Sequence, residues 1–177
     1  MRRVYGPDLM LKICDEARAV DHVHFLFGGG VGVAEALQQR LAIKYPGIRI
    51  AGAETPPFRP LSPTEEAQLA SRLEAHGVHY CWIGLSTPKQ ERLASRLSRL
   101  RPQTVFLGVG AAFDMNAGLL AQAPTWMQRA GLEWLFRPLA EPRRLWKRYF
   151  RNNPEFLARM MWQVLRRGRS TVFQGPG

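Results

Sequence analysis

HVHFLFGGGVGVAEAL, residues 22–37, has the pattern of a strand, a tight turn and a helix in direct succession. The apolar run before Gly28 is typical of a buried strand, and the residues after Gly32 have helical spacing. Glycines in such a turn let the backbone approach a phosphate, and the following helix presents its first N–H groups. The strict dinucleotide pattern needs a small residue where Val33 stands. The same glycines also fit a tight turn with close helix packing, so both interpretations stay open.

Three further apolar runs follow, so that strand-like segments recur every 26–30 residues. The predicted strands begin at His22 (HVHFLF), Ile48 (IRIAG), Val78 (VHYCWIG) and Thr104 (TVFLGV), and the helical segments between them cover 33–45, 64–76 and 89–100. Residues 8–20 add an amphipathic helix capped by Asp8 or a neighbour. This alternation predicts the α/β class, with a Rossmann-like, mostly parallel sheet and helices on both faces.

The pattern changes after the fourth strand, where prolines interrupt a segment without further strand-like runs. Short helices are expected there, and a longer one is expected to begin near Pro154. We therefore predict a Rossmann-like core over 1–122, a short, basic and aromatic helical appendage over 123–170, and a tail over 171–177.

Most of the chain's net charge of +11 lies in this C-terminal quarter, where residues 129–169 hold eleven Lys and Arg against three Glu. Such an asymmetry indicates an anionic partner. Tryptophans such as Trp134 are interleaved with the arginines, a mixture that suits the interface of an anionic membrane. A solvated basic helix with ordinary core aromatics and a nucleic-acid surface remain as alternatives, of which nucleic acid is the least favoured.

Two later turns carry polar side chains at the ends of predicted strands. GLSTPKQE, residues 84–91, places Pro88 at a helix start with Thr87 or Ser86 as its cap and Glu91 in its first turn. Lys89 and Gln90 would then suit a diphosphate and a uracil or sugar, although the spacing alone favours a solvated helix start with ordinary polar residues. GVGAAFDMNAG, residues 108–118, offers Asp114 for a sugar hydroxyl or proton transfer, or as a cap of the next turn.

The remaining composition excludes several classes. The sequence holds no Asp-x-Asp pair, and its four histidines lack clustered acidic or cysteine partners, so neither a metal nor another cofactor is expected. The two cysteines lie far apart in apolar stretches, which fits a reducing, cytoplasmic compartment. The chain shows neither a spanning run nor a signal peptide.

Seven motifs in one order resemble the WecG/TagA/CpsF family of bacterial glycosyltransferases, glycosyltransferase family 26. They are R-V-x-G-x-D from Arg3 to Asp8, GGGVGVAEA, YPGI at Tyr45, PPFRPLS-x-x-E at Pro56, STPKQE, GVGAAFDMNAG, and APTWMQRAGLEWLFR followed by EPRR-x-W-x-RY. The resemblance covers the chain from Arg3 to about Arg167.

The resemblance implies a metal-independent, inverting enzyme of the N-acetylmannosaminyltransferase type. Its donor would be a UDP-sugar and its acceptor a polyprenyl-diphosphate-linked saccharide used for teichoic acid, common antigen or exopolysaccharide. The expected place is peripheral, on the inner face of the bacterial plasma membrane. The resemblance and the strand-end turns together assign donor binding to Arg3, Asp8, Gly28, Gly30, Gly32, Thr87, Lys89, Gln90 and Asp114. It assigns appendage, acceptor or membrane contacts to Arg129, Glu133, Trp134, Arg137, Arg143 and Arg148.

The sequence departs from the family pattern at two places. Gln122 stands where members usually have an arginine. The family pattern also begins upstream of Arg3 with a segment that bears a threonine and an aspartate proposed as the catalytic base. We therefore expect that segment to be absent, which leaves the catalytic residue unassigned and could promote self-association through exposed apolar surface.

Two other functions are kept as alternatives. A nicotinamide-dependent enzyme would use the glycine turn together with Glu54 after the second strand. A non-catalytic basic module would bind RNA or anionic polysaccharide.

Overall fold

The structure, a computed structural model, describes residues 4–129 and residue 136. The chain divides into two units, 1–121 and 122–177. Almost all of the predicted appendage and the whole of the predicted tail lie outside the described residues, so that domain division stays a prediction.

The first unit alternates helices and strands along the chain. In order they are α1 (Gly6–Glu16), β1 (Val23–Gly28), α2 (Val33–Lys44), β2 (Arg49–Glu54), α3 (Pro63–Ala75), β3 (Tyr80–Gly84), α4 (Lys89–Leu100), β4 (Val105–Gly108) and α5 (Ala112–Asn116). A 3-10 turn, Ala17–Val20, follows α1. In the second unit, α6 covers Thr125–Arg129.

The four strands form one parallel sheet in the order β2-β1-β3-β4. The chain passes from β1 to β2 on one side, then crosses back to place β3 on the other side of β1. Strand order therefore reverses between β1 and β3, and ligands of open parallel sheets bind at the carboxyl ends of strands at such a point.

Side chains of the two central strands alternate between two cores. Phe25, Phe27 and Ile83 pack in one cluster with leucines of α3 and α4. Leu26 and Trp82 pack in the other with apolar residues of α1, α2 and α5. The two central strands are apolar along their length because both faces of the sheet are covered. The predicted α/β fold, with a parallel sheet and helices on both faces, is confirmed.

The starts of α3 and α1 differ in how they are capped. Ser62 caps α3, because its hydroxyl accepts from the Glu65 N–H at 3.2 Å while the Glu65 carboxylate accepts from the Ser62 N–H at 2.7 Å. The predicted cap at Asp8 is wrong: α1 begins at Gly6 after Tyr5, which makes no side-chain cap bond. Asp8 lies in the first turn instead, where its charge still favours the helix dipole.

Histidines occupy the opposite, N-terminal edge of the sheet. The rings of His22 and His79 stack with their centroids 4.2 Å apart. The Trp82 indole N–H donates to His24 Nδ1 at 3.1 Å, and the Val23 N–H donates to His79 Nδ1 at 3.1 Å. These contacts give His22, His24 and His79 a structural role in packing the strand starts.

Candidate functional site

The glycine turn (residues 28–32) and the PKQE turn (residues 84–91) leave the sheet at the same edge. Gly28, the last residue of β1, lies opposite Gly84, the last residue of β3. The Gly29 N–H donates to the Gly84 carbonyl at 2.9 Å and extends this pairing by one residue. The helices that follow lie on opposite faces, since α2 packs in one core and α4 in the other. The two loops therefore diverge at the reversal point of the sheet, where open parallel sheets form the crevice that binds ligands.

Close packing explains the first glycines of the turn. A Cβ on Gly28 would lie 2.5 Å from the Gly84 Cα, and Gly28 has a φ of 147°. A Cβ on Gly29 would lie 2.6 Å from the Val33 side chain. For these two glycines, the tight-turn interpretation is sufficient.

Packing does not explain Gly30. Its φ lies outside the left-handed region, and a Cβ there would meet nothing closer than the Val33 methyl at 3.8 Å. Gly32, with a φ of 79°, is the N-cap that precedes α2, and a Cβ on it would meet no atom within 4 Å. Among the described residues, none accepts a hydrogen bond from the N–H of Gly30, Val31 or Gly32. Successive free N–H groups before a helix are the donors that an anionic oxygen requires.

The start of α4 is organised differently from the start of α2. Pro88 is the N-cap, the residue just before the helix. The Ser86 carbonyl accepts hydrogen bonds from the N–H groups of Lys89 at 2.8 Å and Gln90 at 3.3 Å. The Thr87 hydroxyl donates to the Glu91 carboxylate at 2.9 Å. The predicted side-chain cap by Thr87 or Ser86 is therefore wrong, whereas Glu91 lies in the first turn as predicted.

Gln90 joins two loops of the site. Its side chain is buried, and its Oε1 accepts from the Gly110 N–H at 3.0 Å. Its Nε2 donates to Glu91 at 3.0 Å, and this bond is the main reason that the pKa of the Glu91 carboxyl is lowered. The amide predicted to hold a ligand thus ties the β3–α4 loop to the β4–α5 loop. Sequence reasoning missed this link, since nothing in the local pattern pairs Gln90 with Gly110.

The Lys89 ammonium lies at the same edge of the sheet and is exposed to a ligand. Its side chain is exposed and makes no ion pair with any residue of the described part of the chain. Its ammonium lies 5.7 Å from the centre of the Phe58 ring. A cation at a helix N-terminus adds to the positive end of the helix dipole, so an anion is favoured there.

The loop between β4 and α5, together with α5, lies beside the start of α1. The Asn116 amide donates to the Pro7 carbonyl at 3.2 Å, and the Tyr5 hydroxyl donates to the Met115 sulfur at 3.5 Å. Asp114 is half-buried in α5, and its carbonyl accepts from the N–H groups after the helix. Asp8 is exposed in the first turn of α1. Both carboxylates accordingly belong to elements near the carboxyl end of β4.

Glu54, which the nicotinamide alternative requires for ribose, is already paired. Its carboxylate accepts from Arg72 Nε at 3.1 Å and Nη2 at 2.9 Å. A bidentate pair of this kind fixes both carboxylate oxygens on the guanidinium.

The other predicted residues lie outside the described part of the structure. They are Arg3, Glu133, Trp134, Arg137, Arg143, Arg148 and the side chain of Arg129, although the Arg129 backbone ends α6.

The described residues contain neither a candidate metal cluster nor a candidate membrane-spanning helix. Within 4–129 and 136, no three His, Cys, Asp or Glu side chains are grouped so that they could hold a metal ion. None of the helices in the same residues combines the length and apolar character needed to cross a bilayer.

Comparison with protein families identifies the family to which the chain is similar. The family described as "Glycosyl transferase WecG/TagA/CpsF family" matches residues 1–170, which is nearly the whole chain. This match covers all the elements that border the crevice.

Proposed function

Because the chain belongs to the WecG/TagA/CpsF glycosyl transferase family, we propose that it transfers N-acetylmannosamine or a related sugar from a UDP donor. The acceptor is a polyprenyl-diphosphate-linked saccharide in the synthesis of a cell-surface polymer such as teichoic acid, common antigen or exopolysaccharide.

The observation that carries this proposal is the set of free N–H groups at Gly30, Val31 and Gly32. They border the crevice between β1 and β3, on whose other side Lys89 begins α4. Backbone donors and one unpaired cation can meet the charge of a diphosphate directly. We therefore assign Gly30, Gly32 and Lys89 to the donor diphosphate.

The remaining donor-site residues take supporting roles in this proposal. Gln90 and Thr87 hold the loop around Lys89 through Glu91 and Gly110. Asp114, Asp8 and Arg3 are assigned to the sugar side of the crevice, since the first two belong to elements near β4. The reaction proceeds with inversion and without a metal ion, and no residue is assigned as its base.

The C-terminal residues are assigned to the acceptor and the membrane. The charge of +8 over residues 129–169 attracts an anionic bilayer and the diphosphate of a lipid-linked acceptor. The proposal therefore places the protein on the inner face of the plasma membrane as a peripheral enzyme.

The test is transfer and binding by the full chain. UDP is titrated calorimetrically, with NADH and a short RNA as competing ligands, and UDP release from UDP-N-acetylmannosamine is followed with a lipid-linked saccharide present. The proposal expects saturable UDP binding and acceptor-dependent UDP release. Binding of NADH or RNA without binding of UDP would contradict it and favour one of the alternative functions.

A further inference from the structure

Phe58 is a large apolar side chain that the fold leaves in water. It follows β2 in the loop to α3, and its relative exposure is 104%. Transfer of a phenyl ring out of water is favourable, so a ligand that covered this ring would be stabilised by the contact.

The loop around Phe58 is held in place. Arg59 makes two parallel bonds to the Glu65 carboxylate, each 2.7 Å long, and also donates to the Pro60 carbonyl at 3.1 Å. Glu65 in turn belongs to the capping box that begins α3. Pro56 and Pro57 precede Phe58 and restrict the backbone further. The ring is thus displayed by a braced segment, which lowers the entropic cost of stacking a ligand on it.

Phe58 lies among the groups proposed to hold the diphosphate. The ammonium of Lys89 is 5.7 Å from the centre of its ring. Thr55, three residues earlier in the same loop, donates its hydroxyl to the Gly30 carbonyl at 3.0 Å. The β2–α3 loop is therefore linked to both sides of the crevice, to the glycine turn through Thr55 and to α4 through Phe58.

We propose that Phe58 is the stacking platform for the nucleobase of a nucleoside diphosphate whose phosphates are held by the glycine turn and Lys89. The inference rests on the proposed function and adds the residue that binds the base. A planar base fits better than an aliphatic ligand, because stacked aromatic rings interact face to face with an offset. The adjacent cation also suits a ligand that carries phosphate next to its ring.

The test separates base from phosphate with the full chain and two probes, UDP and inorganic pyrophosphate. Phe58→Ala is expected to weaken UDP binding by roughly ten- to a hundredfold, the size measured when a stacking aromatic is removed, and to leave pyrophosphate binding unchanged. Phe58→Tyr keeps the ring and should retain UDP binding. Ile43→Ala is the matched control, since Ile43 is 81% exposed on α2 and lies outside the crevice loops.

Each other outcome overturns the inference in a distinguishable way. Unchanged UDP binding by Phe58→Ala would reject the platform while leaving the donor site intact. Equal loss of UDP and pyrophosphate would show that Phe58 positions the loop rather than the base. A dimer in sedimentation that Phe58→Ala dissociates would identify a second copy as the partner. Absence of both UDP and pyrophosphate binding in the unaltered chain would remove the proposed function itself, and the inference with it.

Discussion

Gly28 and Gly84 approach so closely that a Cβ built on Gly28 would lie 2.5 Å from the Gly84 Cα. The two residues end adjacent parallel strands, and they are in register. Their contact is the reason that the glycine turn and the PKQE turn border one crevice. A side chain on Gly28 would push apart the two strands from which the candidate site is built, whereas one on Gly84 would lie 2.5 Å from the Phe113 ring.

Substitution of the glycines should separate packing from ligand contact. Gly28→Ala places a Cβ against backbone and requires a φ of 147°, so we expect a loss of at least ~2 kcal/mol of unfolding free energy. Gly30→Ala meets nothing within 3.8 Å and should leave the melting temperature unchanged while weakening UDP binding. Thermal unfolding and calorimetry on the two variants measure both effects. Undiminished UDP affinity in Gly30→Ala would show that the turn has only a structural role.

Lys89 should contribute affinity without contributing stability. Lys89→Ala removes an exposed charge that has no ion-pair partner among the described residues, so the melting temperature should not change. UDP and pyrophosphate should both bind at least about fivefold more weakly, since charge-assisted bonds are among the strongest in such sites. Lys44→Ala is the control, because Lys44 also lies over an aromatic ring, Tyr45 at 5.5 Å, but at the C-terminal end of α2. Equal effects of the two substitutions would refute a specific phosphate contact.

Gln90 should influence both stability and binding, because it joins two loops. Gln90→Ala removes the nearer of the two acceptors of the Gly110 N–H and leaves it only the Ile83 carbonyl at 3.4 Å, which we expect to cost about 1 kcal/mol of unfolding free energy. UDP binding should weaken as well, since the loop that carries Lys89 loses its attachment. Gln68→Ala, on the exposed side of α3, is the control. A Gln90→Ala variant with unchanged stability would show that its hydrogen bond to Gly110 does not hold the loops together.

The protein should lose stability in mild acid because of His24. Burial, with the neighbouring His22 and His79, lowers the pKa of His24 from its usual 6.5 to about 4. Between these two pH values the unfolded chain binds a proton at His24 and the folded chain does not, so the free energy of unfolding falls as the pH falls. The full effect is about 3 kcal/mol between pH 6.5 and pH 4.

Denaturation at several pH values tests this effect. His24→Gln keeps an acceptor for the Trp82 indole and should show a weaker decline in stability from pH 6.5 to pH 5. His76→Gln alters an exposed histidine and should follow the unaltered protein. Parallel profiles for all three chains would exclude His24 as the acid-sensitive group.

Membrane attachment should depend on the basic C-terminal residues. A chain that ends before Pro138 loses most of the positive charge of residues 129–169 and should bind vesicles containing anionic lipid more weakly. High salt should reduce binding of the full chain in the same direction, because the attraction is electrostatic. Equal sedimentation of the short and full chains with vesicles would reject this role.

The strands were predictable because each coincides with an apolar run. Burial on both faces holds for the central strands β1 and β3, whereas the edge strands β2 and β4 are only partly buried. The edge at which the turns meet was predictable as well, since parallel strands end together. The helix caps at Asp8 and Thr87 were not, because Tyr5 and Pro88 occupy those positions through backbone geometry alone. The link from Gln90 to Gly110 and the display of Phe58 depend on loops that meet only after folding, and no local pattern encodes such contacts.

The most direct test of the donor site is an amide NMR titration of the full chain with UDP. Free N–H groups that donate hydrogen bonds to phosphate oxygens must change their chemical environment on binding. The largest shifts are expected at Gly30, Val31 and Gly32, with further changes at Lys89 and Phe58 and none at His22 and His79 on the opposite edge of the sheet. Saturable UDP binding that leaves the amides of Gly30, Val31 and Gly32 unmoved would contradict the account.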